Sequence, residues 1–179
     1  MTGRDDPDTL WMAGYAVAMF AGEHATSGSA IDRALMLNPN SAHAWWAYGM
    51  LQCVLNRPDP AIDALWRAMR LSPLDPLAYR FSLALAWAHM LAGRYEEAME
   101  WADRSLGEEP GNFVAIREKV ALCGHLGRIE EGHEWVNRLL KLYPSFTVAS
   151  FIEYARPIVV PGVIAIYAED LCKAGVPEE

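Results

Sequence analysis

The sequence predicts an all-α, right-handed solenoid of about four helix-turn-helix units, closed by a C-terminal capping helix. The first observation is a recurring proline: Pro39, Pro73, Pro110 and Pro144 follow one another at intervals of 34, 37 and 34 residues. The second is that other residues recur at constant distances before each proline. An interval of this length holds two helices, which bury their apolar faces only by stacking on the neighbouring units.

Three positions repeat with the prolines. The residues that lie 28 positions before each proline are Trp11, Trp45, Ser82 and Ile116. Those that lie 12 positions before it are small, namely Ser27, Ala61, Ala98 and Gly132. Residues 17 before it are Gly22, Asn56, Gly93 and Gly127. Each unit is therefore predicted to hold a first helix, a turn at the glycine or asparagine, and a second helix that a neighbour approaches closely.

Local signals place the helices within the units. Ala61, Leu65, Ala68 and Leu71 step by four and three residues, which is one face of a helix. Ser41, Asn112 and the pair Asp75-Pro76 are candidate N-caps of the first helices. The three extra residues of the third interval are placed at 73–76, where they are expected to lengthen the first helix of the third unit by nearly one turn.

The period stops after Pro144. A helix is expected over 145–156, with Phe146, Ala149, Ile152 and Ala155 on one face, and then an extended link between Pro157 and Pro161. A second helix over 162–173 would place Ile164, Tyr167 and Leu171 together, and Gly175 and Pro177 would stop it. The predicted organisation is therefore a repeat region, 1–144, with units at about 8–41, 42–75, 76–112 and 113–144, followed by a cap and tail, 145–179.

These units resemble the tetratricopeptide repeat. The second unit carries the fullest set of matching residues, namely Trp45, Gly49, Ala61, Leu65, Ala68 and Pro73. The third and fourth units depart from it at Ser82, Ile116 and Leu139, which keep a small or apolar side chain. The resemblance implies a protein-protein interaction module with a regulatory or scaffolding role.

A narrower resemblance concerns the surrounding protein. The segments AIDRALMLNPNSAHAWWAYG, AMRLSPLDPLAYRF, LAGRYEEAMEWADRSL and LCKAGVPEE are similar to the C-terminal repeat region of bacterial class III adenylate/guanylate cyclase-like proteins. Similar repeat tails occur on winged-helix transcription regulators. Because Trp11 and Tyr15 have no preceding helix to cover them, we expect further sequence upstream. The cyclase's catalytic residues have no counterpart in this chain, which we expect not to be an enzyme by itself.

The resemblance also implies that the first helices line a concave groove. The groove positions expected to bind a partner are mostly Met and aromatic residues: Met12, Met19, Phe20, Trp46, Met50, Leu83, Trp87 and Met90. Their occupant would be a protein or peptide helix, another copy of the chain, or its own tail; alternatively, these side chains are merely core. A self-association module that dimerises an attached catalytic or DNA-binding domain is the second interpretation. A carboxylate clamp is disfavoured, since only Arg80 and Arg117 are basic there.

Composition and sequence pattern argue against several other classes of protein. A formal charge of −8 without a Lys/Arg cluster argues against nucleic-acid binding. No run of 18 apolar residues exists to span a membrane, and the N-terminus has no signal-peptide pattern, so a cytoplasmic location is expected. The chain has three cysteines, Cys53, Cys123 and Cys172. This odd number does not suggest a disulfide framework, and their spacing is not that of a metal site.

Candidate chemistry is sparse. His125 and His133 lie near Glu130, Glu131 and Glu134, but this cluster flanks a predicted turn and favours a solvated face over a metal site. No nucleophile elbow or phosphate-binding glycine loop is present in the sequence. No cofactor is predicted.

Overall fold

The fold is entirely helical over the part of the chain that the computed structural model describes, residues 6–179. This confirms the predicted fold class; the first five residues of the predicted 1–144 region lie outside the described range. A π-helical segment, Val17–Ala21, continues the first helix. The α-helices are α1 (Pro7–Ala16), α2 (His24–Leu37), α3 (Ala42–Val54), α4 (Pro58–Leu71), α5 (Ala78–Leu91), α6 (Tyr95–Glu108), α7 (Phe113–His125), α8 (Ile129–Leu142), α9 (Val148–Ala155) and α10 (Pro161–Lys173).

The first eight helices form four pairs, α1–α2, α3–α4, α5–α6 and α7–α8, and each pair packs on the next. The turn inside every pair contains one residue with a left-handed backbone. These residues are Gly22 (φ 67°), Asn56 (φ 54°), Gly93 (φ 72°) and Gly127 (φ 68°). Glycine and asparagine adopt this conformation at the lowest steric cost, which explains why the sequence repeats them here.

Small residues mark the closest contacts between helices. Ser27, Ala61 and Ala98 are fully buried on the second helix of the first three pairs. On α3, a Cβ at Gly49 would lie 2.7 Å from Leu65 Cγ of the partner helix α4. A larger side chain at such positions would push the helices of a pair apart.

Two of the three predicted N-caps are confirmed. The Ser41 side chain accepts a hydrogen bond from the Ala44 amide at 3.2 Å, and the Asn112 side chain accepts one from the Ala115 amide at 3.0 Å. The prediction for Asp75 is wrong. Its carboxylate accepts from the Leu77 amide at 2.9 Å and closes a turn, and α5 begins only at Ala78.

The three extra residues of the third interval therefore belong to this turn. α5 has 14 residues against 13 in α3 and in α7, so it is not extended by a turn. The Asp75-Pro76 pair forms a turn and not a helix, because the aspartate side chain accepts a hydrogen bond from a nearby backbone amide.

The first helix of the C-terminal segment begins later than predicted and buries a different face. α9 starts at Val148, where Thr147 and Ser150 form a capping box, and its buried side chains are Val148, Phe151 and Ala155. Of the predicted face, only Ala155 is buried. The link after it is a turn and not extended chain, since the Ile158 and Val159 amides both donate to Ala155 O at 2.9 Å.

The last helix, α10, follows the prediction. Ile164, Tyr167 and Leu171 are all buried, and Gly175 ends the helix region with a φ of 96°. α10 packs against α7 so closely that a Cβ at Gly124 would lie 1.9 Å from Asp170 O. The helix thus covers the end of the array that the fourth pair would otherwise expose.

The N-terminal aromatic residues also differ from expectation. Trp11 stacks on His43 with ring centroids 5.5 Å apart, and Tyr15 lies 4.7 Å from Trp46. Both side chains are half-buried against α3. The second pair therefore covers part of each side chain.

Candidate functional site

A cavity of about 320 Å³ lies between the concave face and the C-terminal segment. The concave face is formed by α1, α3, α5 and α7, which all contribute lining residues. The opposite wall consists of side chains from residues 151–167, including Phe151, Val163 and Ile164. The concave face is therefore covered along part of its length by the chain's own C-terminal segment, one of the occupants that the sequence analysis allowed.

The covering segment reaches the first helix pair. Pro157 lies in the link between α9 and α10, and a Cβ placed on Gly22 would be 2.1 Å from Pro157 O. Tyr15 and Met19 of the first helix line the same cavity as Tyr154 and Ile158 of the C-terminal segment. Residues that are far apart in sequence therefore close the cavity between them.

The predicted groove residues divide into three groups. Five of them line the cavity together: Met19, Trp46, Met50, Leu83 and Trp87. Met12 and Phe20 lie outside it, with 48% and 76% of their surface exposed. Met90 is buried in the core with the residues of α6 and α7, so it does not face the groove.

A buried polar network forms the cavity floor at α7. Tyr167 Oη donates to Glu118 Oε2 at 2.8 Å, and Arg117 Nε donates to Tyr167 Oη at 3.3 Å. The Arg117 guanidinium lies 5.2 Å from the Phe151 ring centroid and 5.5 Å from that of Tyr167, so it contacts aromatic faces from both α9 and α10. These contacts connect the fourth repeat pair to the C-terminal segment.

Burial dominates the ionisation of this network. Glu118 is only 2% exposed, and burial raises the pKa of its carboxyl from 4.5 to about 7, against the opposing effects of Arg117 and the Tyr167 hydrogen bond. Burial likewise raises the pKa of Tyr167 well above its ordinary value. The second Glu118 oxygen, Oε1, is buried without a hydrogen-bond partner.

Arg80 contributes a second cation to the cavity. Its backbone carbonyl accepts a hydrogen bond from Trp46 Nε1 at 3.2 Å, its guanidinium lies 5.9 Å from the Trp46 ring centroid, and its Nε donates to Tyr79 Oη at 3.3 Å. Within residues 6–179, neither Arg80 nor Arg117 forms a salt bridge. The two arginines that the sequence analysis placed in the groove thus line one cavity.

Sequence reasoning missed Glu118 and Tyr167. A signal was present, because the charged run Arg117-Glu118-Lys119 interrupts a helix that is otherwise apolar from Val114 to Leu122. Charges on several sides of a central helix require buried partners. Buried Lys119 pairs instead with two partly exposed carboxylates, those of Asp103 and Glu131, the latter at 3.3 Å.

The remaining sequence candidates do not assemble into a site. His125 Nδ1 contacts Asp170 Oδ2 at 2.9 Å and its ring stacks on Tyr95, while His133 lies beside Gly175. The described residues contain no group of three His, Cys, Asp or Glu side chains suited to a metal ion. Burial raises the pKa of the Cys123 thiol to about 11 and that of Cys53 further still. In residues 6–179, no helix combines the length and apolarity needed to cross a membrane.

Comparison with known proteins supports the repeat assignment. Residues 54–113 match the tetratricopeptide repeat family model. A comparison with curated protein sequences found no significant match.

Solved structures show the same fold. PilW, described as a widely conserved type IV pilus biogenesis factor, is 18% identical with a TM-score of 0.71, over 88% of this chain and 73% of PilW. MamA from Desulfovibrio magneticus RS-1 is 20% identical with a TM-score of 0.63, over 79% of this chain and 77% of MamA. YrrB, described as a tetratricopeptide repeat protein with an unusual peptide-binding site, is 17% identical with a TM-score of 0.60, over 97% of this chain and 83% of YrrB. Residues 54–113 thus match the tetratricopeptide repeat model, and the chain shares the helical fold of these three solved structures.

Proposed function

We propose that this chain is a protein-interaction module with a regulatory or scaffolding role, and that its partner surface is the exposed apolar strip of the first helix. Met12, Ala16 and Phe20 follow one another along this helix at intervals of four residues, and all three are exposed. Phe20 carries the proposal, because 76% of a large aromatic side chain faces solvent. Exposed apolar side chains that form a continuous strip are typical of contact surfaces.

The partner is proposed to be an apolar helix of another protein or peptide. Helices recognise one another through side chains spaced by three and four residues, which is the spacing of this strip. YrrB, whose fold is similar, is described as having a peptide-binding site, which makes a peptide partner reasonable for this fold. The covered part of the concave face, with its cavity of about 320 Å³, is too small for a helix unless the C-terminal segment moves.

The wider setting is also a proposal. The resemblance to bacterial cyclase-like proteins favours a place in a larger signalling protein in the cytoplasm, with catalysis supplied by another domain. The formal charge of −8 favours a protein partner over nucleic acid or an anionic membrane surface. Assays for cyclic-nucleotide production from ATP and GTP are expected to be negative for this chain alone. Product formation by the purified chain would contradict a purely binding role.

The test compares Phe20→Asp with Leu74→Asp. Leu74 is 93% exposed in the turn between α4 and α5, away from the strip, so it controls for loss of any exposed apolar side chain. Helical peptides selected on the wild-type chain from a random library are expected to bind the Leu74→Asp variant with unchanged affinity. They are expected to lose binding to Phe20→Asp. Peptides that bind both variants equally would contradict the proposed surface.

Self-association is the second candidate, and the same strip favours it. An apolar strip that finds no partner among residues 6–179 can pair with its copy across a twofold axis. Light scattering at high micromolar concentration would then show a dimer of the wild type and of Leu74→Asp, and a monomer of Phe20→Asp. A wild type that stays monomeric would exclude this candidate and leave the heterologous partner.

A further inference from the structure

We propose that the cavity between the concave face and the C-terminal segment binds a small amphipathic organic acid. Its carboxylate would lie against Arg80 and Arg117, and its apolar body against Trp46, Met50 and Trp87. This site is separate from the exposed strip of the first helix and takes a different class of ligand.

The size and lining of the cavity suit an apolar small molecule. Its volume of about 320 Å³ lies at the lower end of the range of ligand pockets, about 300 to 1,000 Å³. Trp46, Met50, Leu83 and Trp87 face it from the repeat helices, and Val163 and Ile164 from α10. Aromatic and thioether side chains adapt well to aliphatic or aromatic ligands.

The charges of the cavity select an anion. Arg80 and Arg117 both line it, and Glu118 is the one carboxylate of the lining that attracts either of them, namely Arg117. Both already use Nε to donate to a tyrosine hydroxyl, so the terminal guanidinium nitrogens are left to donate to a ligand. A guanidinium beside apolar walls gains most from a carboxylate, which accepts two of its hydrogen bonds at once.

Glu118 is compatible with this ligand. Among the described residues that line the cavity it is the only acidic one, and it interacts with Arg117 and Tyr167. The other charged or titratable residues of the lining are Arg80, Tyr79, Tyr15 and Tyr154. Glu118 Oε1 is buried and has no hydrogen-bond partner among the described residues. Since burial raises the pKa of Glu118 to about 7, a substantial fraction of its carboxyl is uncharged near neutral pH, which lowers the repulsion of an anion in the cavity.

The experiment uses octanoate and its neutral analogue octanol as probes, titrated into the full chain by isothermal calorimetry. Wild type is expected to bind octanoate more tightly than octanol, because only octanoate engages the arginines. Arg80→Gln is expected to weaken octanoate binding about tenfold or more and to leave octanol binding unchanged. Met50→Trp fills the cavity and is expected to abolish binding of both probes.

Arg70→Gln is the matched control, because Arg70 is an exposed arginine on α4 outside the cavity. It is expected to bind octanoate like wild type, and far-ultraviolet circular dichroism verifies that every variant is folded. The proposal is overturned if wild type shows no octanoate binding at millimolar concentration. It is equally overturned if octanol binds as tightly as octanoate, or if folded Arg80→Gln and Met50→Trp bind octanoate like wild type.

Discussion

Tyr167 on α10 donates its hydroxyl hydrogen to Glu118 Oε2 on α7 at 2.8 Å, across 49 residues of sequence. Both side chains are buried, and Arg117 Nε donates to the same tyrosine oxygen at 3.3 Å. This pair couples the last repeat to the helix that caps it. It also closes one end of the cavity, so the stability of the cap and the shape of the candidate site depend on the same contact.

Replacement of Tyr167 by phenylalanine tests this coupling. The Tyr167→Phe variant leaves both Glu118 oxygens without a donor, and Arg117 Nε without an acceptor. Loss of a buried partner costs about 1–3 kcal/mol, so the free energy of unfolding measured in urea is expected to fall by that amount. Tyr154→Phe is the control, because Tyr154 lines the same cavity but is 49% exposed. An equal loss in both variants would show that the hydrogen bond does not stabilise the cap.

The pH dependence of stability follows from Glu118. Its pKa is about 7 in the folded chain against an ordinary 4.5, so the folded state binds the proton more tightly than the unfolded state. Protonation therefore favours folding, and the contribution of Glu118 to the free energy of unfolding falls as pH rises from about 4.5 to about 7. The full change is of the order of 3 kcal/mol.

Glu118→Gln isolates this contribution, because glutamine keeps the side-chain size and cannot ionise. Urea unfolding at pH 5 and at pH 8 is expected to show that the variant gains stability relative to wild type at pH 8. The comparison with wild type removes the opposite effect of His89, whose pKa is lowered by burial. A difference between variant and wild type that is the same at both pH values would refute the raised pKa.

The contact between α7 and α10 gives a second stability test. A Cβ at Gly124 would lie 1.9 Å from Asp170 O, and a backbone carbonyl cannot move aside without moving α10. Gly124→Ala is expected to destabilise the chain by about 1–3 kcal/mol, measured by urea unfolding. Gly107→Ala is the matched helical control, with nothing within 4 Å of its Cβ position, and is expected to be neutral or slightly stabilising. Comparable unfolding energies for the two variants would contradict the close approach of α7 and α10.

The repeat could be predicted from sequence because its determinants are local. A left-handed backbone at Gly22, Asn56, Gly93 and Gly127 depends only on the turn in which each residue sits, so the residue type reveals it. The Ser41 and Asn112 caps are local in the same sense. The prediction that Asp75 caps α5 was wrong because an aspartate side chain can either cap a helix or close a turn. Sequence alone does not separate these two outcomes.

A second periodic signal was present and could have been used. Arginines stand six residues before each proline, at Arg33, Arg67, Arg104 and Arg138. Arg67 donates to Pro39 O at 3.5 Å, and Arg138 donates to Pro110 O, each to the proline 28 residues earlier. Arg104 instead pairs with Glu108 at 3.1 Å. Two of the four arginines, Arg67 and Arg138, thus connect their unit to the turn before it.

The candidate site was only partly predictable. The cavity residues on the first helices could be predicted because they recur at fixed positions of each repeat unit. They are Met19, Trp46, Met50, Leu83 and Trp87. The covering wall could not be predicted, because the path of residues 145–160 has no periodicity and is set by distant contacts. Phe151 stacks on Tyr167 at 4.7 Å, and Pro157 meets Gly22, and neither contact leaves a local signature.

The C-terminal segment crosses the concave face and rests on the first helix pair. Hydrogen exchange of residues 151–164 in Gly22→Ala and Gly93→Ala tests this arrangement most directly. Both glycines have a left-handed backbone, with φ of 67° and 72°, so alanine costs about 1–2 kcal/mol of strain at either site. Only at Gly22 does the new Cβ meet another segment, 2.1 Å from Pro157 O, whereas Gly93 has nothing within 4 Å. We expect residues 151–164 to exchange faster in Gly22→Ala than in Gly93→Ala. Equal exchange of that segment in the two variants would show that it does not rest on the first helix pair.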